Sequence, residues 1–168
     1  MNGKWDDRFM ELARHVAQWS KDPSTKCGAV ITDDKFIVSV GFNGFAQFTD
    51  DSIERYEDRD YKYENVIHDA ENAILSAHKD LIGTTIYSSC TVCTRCVARV
   101  IQSGIMRVVI PCKAEDPFSY RTDWDKSYED ARVQLEHANV ELEVLEWTGF
   151  SPYELMGPKH PERIRTGI

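Results

Sequence analysis

No stretch of this chain approaches the run of about 20 apolar residues that a helical membrane span requires, so none is expected. Basic charge is also scarce. Against 28 Asp and Glu stand 20 Lys and Arg, a formal net charge of −8. A nonspecific grip on DNA, RNA or an anionic membrane works by neutralising phosphates with cations, so such partners are not expected. A small phosphorylated ligand needs only a local basic pocket. The opening MNGKWDDRF lacks the apolar core of a secretory signal. Cysteine is limited to five, an odd number, and three of them fall between positions 90 and 96. That distribution suits metal chemistry in a reducing compartment better than a disulfide framework, and the expectation is a cytoplasmic protein.

The 168 residues, 42% of them hydrophobic, are enough for one domain with a substantial core. We place that domain at 1–147 and read 148–168, rich in Gly and Pro, as an extended tail. Asp6 to Trp19 carries Phe9, Leu12, Ala13 and Val16 at helical spacing. GAVIT and FIVSVGFNG read as a hairpin joined at Asp33 and Asp34, with Cys27 a small buried hydrophobe at its start. GFNG, taken alone, is a Gly/Asn turn ending a strand.

Residues 45–65 are polar and irregular, with Arg55, Arg59 and Lys62 among Tyr56, Tyr61 and Tyr63. Cations interleaved with aromatics suit a phosphate and a base. Neighbouring acids, Asp50, Asp51, Glu54, Glu57, Asp58 and Asp60, make a solvated, self-neutralised loop the simpler reading for each cation.

Beyond it the pattern predicts a helix over Asp69–His78, a strand over Thr84–Ser88 and a helix opening within CTVCTRC. A strand over Arg107–Ile110, a loop over Lys113–Thr122, a helix over Trp124–His137 and a strand in ELEVLEW follow. Strands separated by helices must run as crossovers. The fold class is therefore α/β, a three-layer α/β/α sandwich with a mixed five-stranded sheet.

The chemistry concentrates in VIHDAENAIL and SSCTVCTRC. His68, Cys93 and Cys96 combine an imidazole with a CxxC pair, a donor set that suits Zn2+. Three protein ligands leave one tetrahedral position open, the mark of a catalytic rather than a structural zinc. A second pair, Cys90 with Cys93, overlaps the first. It leaves Cys90 as a neighbour or an occasional ligand, and a purely structural zinc knuckle would need it as the fourth donor.

WSKDPSTKCGAVI, GFNGF, RYEDRDYKYENVIH, IQSGIMRVVIP and the spacing from His68 to Cys93 and Cys96 together resemble the zinc-dependent cytidine and deoxycytidylate deaminases, whose signature is HxE followed by PCxxC. The resemblance runs from Phe9 to Leu145 and leans to the deoxycytidylate branch. It implies a cytidine deaminase-like fold and hydrolytic deamination of dCMP to dUMP and ammonia. His68, Cys93 and Cys96 would hold the zinc, and Asn43 would hydrogen-bond the sugar. It further implies a homo-oligomer, commonly a hexamer, with dCTP and dTTP as possible effectors. Apart from the resemblance, Lys159, Arg163 and Arg165 of the tail could reach a phosphate in an adjacent subunit, though a disordered tail is the simpler reading.

The chain departs from the family pattern at Ala70, where the family has glutamate, and at Val92, where it has proline; Phe42 replaces a tyrosine. The family glutamate carries protons between water and base, so another acid must stand in. Glu71, three positions after His68 and near it on one helical face, is the provisional shuttle; Asp69 is the shorter alternative. Two further readings compete: a nucleotide-binding regulatory subunit without turnover, and a deaminase of a modified or different base.

Overall fold

The computed structural model describes residues 3–112 and 122–146. The opening amphipathic segment forms α1, Gly3–Ala17, and turns Phe9, Met10, Ala13 and Val16 inward. After it, β1 (Gly28–Asp33) and β2 (Phe36–Phe42) pair antiparallel. Their connection passes through Asp34 at φ +49, a left-handed conformation that Asp tolerates because its short side chain bonds locally.

Three further strands complete the sheet: β3 (Thr85–Ser88), β4 (Arg107–Pro111) and β5 (Glu141–Leu145). The order is β2-β1-β3-β4-β5. β1 runs antiparallel to both neighbours, while β3, β4 and β5 are parallel, so the sheet is mixed as expected. Between β2 and β3 lies α4 (Asp69–Leu75); α5 (Thr94–Gln102) and α6 (Thr122–His137) make the two parallel crossovers. Strand alternation divides the core. Val30, Tyr87 and Val109 meet α1 on one face, and Ala29, Ile31, Ile86, Val108 and Ile110 meet α4, α5 and α6 on the other.

Glycine sets how closely helix and sheet approach. A Cβ on Gly41 would collide with the backbone of Asp69 and Ala73, and one on Gly28 with the backbone of Ala13 and Ala17. The first contact brings α4, and His68 at its start, directly onto β2.

The structure corrects three readings. The polar segment is not an irregular loop, because it contains α2 (Ile53–Glu57) and α3 (Arg59–Asn65). Tyr56 and Lys62 are buried there, Phe45 stacks on Tyr56 with ring centroids 4.5 Å apart, and Asp58 accepts from the Tyr61 amide at 3.1 Å to cap α3. Helices of five and seven residues present too few apolar positions for periodicity to register. Secondly, α4 stops at Leu75 rather than His78, with Ser76 as its C-cap.

Thirdly, Cys27 is no isolated hydrophobe and Cys90 no free thiol. They form a disulfide with a Cα–Cα separation of 5.8 Å across 63 residues of sequence. The expected loop over Lys113–Thr122, all but its last residue, and the tail with Lys159, Arg163 and Arg165 lie outside the described residues.

Candidate functional site

Two helix starts meet at one end of the sheet. His68 is the N-cap of α4 and Cys93 the N-cap of α5, both with extended backbone, and Cys96 follows in the first turn of α5. Their side chains converge. His68 Nδ1 lies 3.4 Å from Cys93 Sγ and 3.2 Å from Cys96 Sγ, and the two sulfurs are 3.5 Å apart. Bond lengths of about 2.3 Å to sulfur and 2.0–2.1 Å to nitrogen, at tetrahedral angles, set ligand separations of about 3.5–3.8 Å. The triangle matches to within a few tenths of an ångström, so the donor set fits zinc. Among the described residues it is the sole group of three or more His, Cys, Asp or Glu side chains gathered tightly enough to hold an ion.

Cys90 stands outside this cluster because its sulfur is bonded to Cys27. The two cluster thiols are electrically unequal. Its contact with the Cys96 thiol, with help from His68, pulls Cys93 well below the usual thiol range. Cys96 is pushed up by that same contact and by burial.

Glu71 and Asp69 flank the triangle in different ways. Glu71 Oε2 accepts from Arg95 Nη2 at 2.8 Å and from the His68 amide at 3.2 Å, while Oε1 meets Arg99 Nε at 2.6 Å. Asp69 is buried, and Ser88 Oγ donates to its Oδ2 at 2.7 Å. Burial raises the Asp69 pKa, with the Ser88 bond opposing. Ala70 between them is buried in the apolar cluster.

Asn43 is held on every side. Its Oδ1 accepts from the Cys27 amide at 2.8 Å, and its Nδ2 donates to Thr25 O at 3.0 Å and Asp22 Oδ2 at 3.4 Å. Ser20 Oγ donates to its carbonyl at 2.7 Å. Both amide protons are committed, which leaves one lone pair on Oδ1 to receive a hydroxyl. Asp22 is fixed in turn by Lys62 at 2.6 Å and by the amides of Ser24 and Thr25. Lys62 is therefore a buried counterion, and Arg55 pairs with Asp50 and sits over Tyr61.

Sequence reasoning missed Asp22, Ser88, Arg95 and Arg99. The two arginines stand at i and i+4 on α5, a spacing visible in the sequence, but the acid they grip comes from another helix. Nothing local marks Asp22 or Ser88.

No described helix is long and apolar enough to cross a membrane. Residues 3–112 match the family described as the cytidine and deoxycytidylate deaminase zinc-binding region. An uncharacterized deaminase in the luxG 3' region of Aliivibrio fischeri is 41% identical over 142 residues, covering 84% of this chain and 94% of that protein. A probable deoxycytidylate deaminase of Caenorhabditis elegans is 32% identical over 147 residues, 84% of this chain and 70% of its own length. The dCMP deaminase of cyanophage S-TIM5, solved in complex with dCMP and dUMP, shares the fold with a TM-score of 0.68 at 20% identity, covering 86% of this chain and 99% of the phage protein. A match spanning 110 of 168 residues, taking in both helix starts that carry the His and Cys donors, identifies the chain as a member of the cytidine and deoxycytidylate deaminase family.

Proposed function

We propose that this protein hydrolyses dCMP to dUMP and ammonia. The observation that carries the reading is the His68, Cys93 and Cys96 triangle in a chain of this family. The C. elegans relative named as a probable deoxycytidylate deaminase and the phage enzyme holding dCMP and dUMP support the choice of substrate. A zinc ion in the triangle would supply Lewis acidity and a water that ionises near neutral pH.

The chain's own residues then bind and carry protons. Asn43 Oδ1 accepts a sugar hydroxyl from an amide whose orientation Asp22 and the Cys27 amide fix. Glu71 is assigned the proton transfer to the base, which requires its carboxylate to leave one of its arginine partners. Asp69 takes that role if Glu71 does not. The same reading carries a homo-oligomer, hexameric by family likeness, with dCTP and dTTP as effectors; the Cys27–Cys90 disulfide stands against the reducing cytoplasm expected from the cysteine count.

The test is ammonia release from zinc-loaded protein given dCMP, CMP, deoxycytidine or dCTP. Release from dCMP above the other three is the expected result; none from any of them overturns the reading. A second reading is favoured by Glu71, whose two oxygens are both gripped by arginines while Ala70 holds the usual acid position. That version is a nucleotide-binding subunit, with dCMP bound and no ammonia formed. The third, a deaminase of a modified or different base, predicts turnover only when the panel is widened.

A further inference from the structure

A covalent bond forms the last rung of the antiparallel ladder of β1 and β3. Ala29 pairs with Ser88, and the next pair, Gly28 with Ser89, is joined by Ser89 N to Gly28 O and Gly28 N to Ser89 Oγ, both at 2.9 Å. Cys27 and Cys90 stand one step further and are disulfide-bonded. Beyond that point the two chains part. Cys27 leads back into the loop of Asp22, Ser24 and Thr25, and Cys90 leads through Thr91 and Val92 to Cys93. The Cys27 amide donates to Asn43 Oδ1, and the Cys27 carbonyl accepts from the Asn43 amide at 3.1 Å. One bond therefore links the residue assigned to the sugar with the segment that carries a zinc donor.

From this geometry we propose that Cys27 and Cys90 are positioning residues, whose disulfide holds Asn43 in register with the segment leading to Cys93; the proposal rests on the reading of His68, Cys93, Cys96 and Asn43 as a dCMP site. Without the bond, hydrogen bonds through Gly28 and Ser89 still close the ladder, so the fold persists. What is released is the spacing between Asn43 and the three residues before Cys93. Reactive geometry tolerates little of this, since a displacement of about 1 Å costs on the order of 10²-fold in rate. Reduction by a dithiol breaks the sulfur–sulfur bond. Two electrons and two protons pass to Cys27 and Cys90, and the dithiol closes to its own cyclic disulfide. Both cysteines are buried, 6% and 2% exposed, so the exchange requires the loop to open and is slow.

The experiment compares zinc-loaded protein before and after dithiothreitol, with the gain of two hydrogens checked by mass and zinc content measured in each sample. Calorimetry with dCMP is expected to show affinity weakened by about tenfold on reduction and restored on reoxidation. Cys27→Ser and Cys90→Ser behave as the reduced protein and ignore the dithiol. Hydrogen exchange is expected to accelerate at Asn43 and at residues 90–92 with the rest of the sheet unchanged. A bond that only stabilises the fold lowers Tm but leaves both the affinity and the exchange at Asn43 unchanged, and that result overturns the proposal. So does alkylation of both cysteines in the untreated protein. If dCMP binds neither form, the substrate reading fails, and the exchange comparison still decides the positioning role.

Discussion

Arg95 Nη2 lies 2.8 Å from Glu71 Oε2 and 2.8 Å from Val66 O, so one guanidinium ties the start of α5 to the start of α4 through the acid that follows His68. Arg99 grips the other oxygen from the next turn. Glu71, proposed above as the shuttle, is thus also the bracket between the two helices that carry His68, Cys93 and Cys96.

Glu71→Gln tests the shuttle with little change in shape. Steady-state kinetics with dCMP are expected to show kcat reduced by about 10²-fold or more, the usual size of a general acid–base contribution. Calorimetry should find dCMP still bound. Intact turnover would move proton transfer to Asp69, which Asp69→Asn then isolates.

Zinc should bind once per chain through two sulfurs and one nitrogen from the protein. Metal analysis of purified protein checks the stoichiometry, and X-ray absorption counts the sulfurs. A count of three would bring Cys90 into the site and break the disulfide found here. His68→Ala is expected to lower zinc affinity, and chelation of the wild type to abolish ammonia release.

Asp6 ties α1 to the sheet through a buried pair. Burial alone would raise its pKa, but hydrogen bonds from Arg107 at 2.8 and 3.1 Å and from Tyr87 at 2.8 Å outweigh it and hold the carboxyl below 3.8. A depressed folded pKa contributes stability that is fully present above the unfolded value and fades as pH falls through the folded one. Urea unfolding should therefore show stability lost below about pH 4. Asp6→Asn is expected to flatten that acid limb. At pH 7 it should cost about 3 kcal/mol, the lower end for breaking a buried pair, because Arg107 keeps Glu141 at 3.0 Å.

Gly41→Ala should push α4 off β2, since the added methyl meets the backbone of Asp69 and Ala73 rather than a side chain that can turn away. Overpacking of this kind costs about 1–3 kcal/mol. Thermal unfolding measures that loss. Weakened zinc binding in the same variant would show that the approach of α4 to β2 places His68.

The five strands and the longer helices were legible because their signals are local, whereas α2 and α3 were too short for periodicity to register. Val30, Ile31 and Val108–Ile110 sit in short β-branched runs, while Phe9, Ala13 and Val16 repeat at helical spacing. The metal triad was legible as residue types at a spacing. What escaped was everything that depends on partners far apart in the chain. Cys27 and Cys90 are 63 residues apart, Asp22 and Lys62 are 40 apart, and Glu71 meets Arg95 across 24.

The sequence by itself thus determined the α/β class, the mixed sheet and the residues able to bind zinc, because periodicity and donor chemistry are properties of neighbouring residues. Only the tertiary structure decided that Glu71 is gripped by two arginines, that Asn43 has one acceptor left, and that Cys90 is bound to Cys27 instead of standing with Cys93 and Cys96. Those outcomes depend on which side chains the sheet order brings within a few ångströms, and no local pattern encodes that distance.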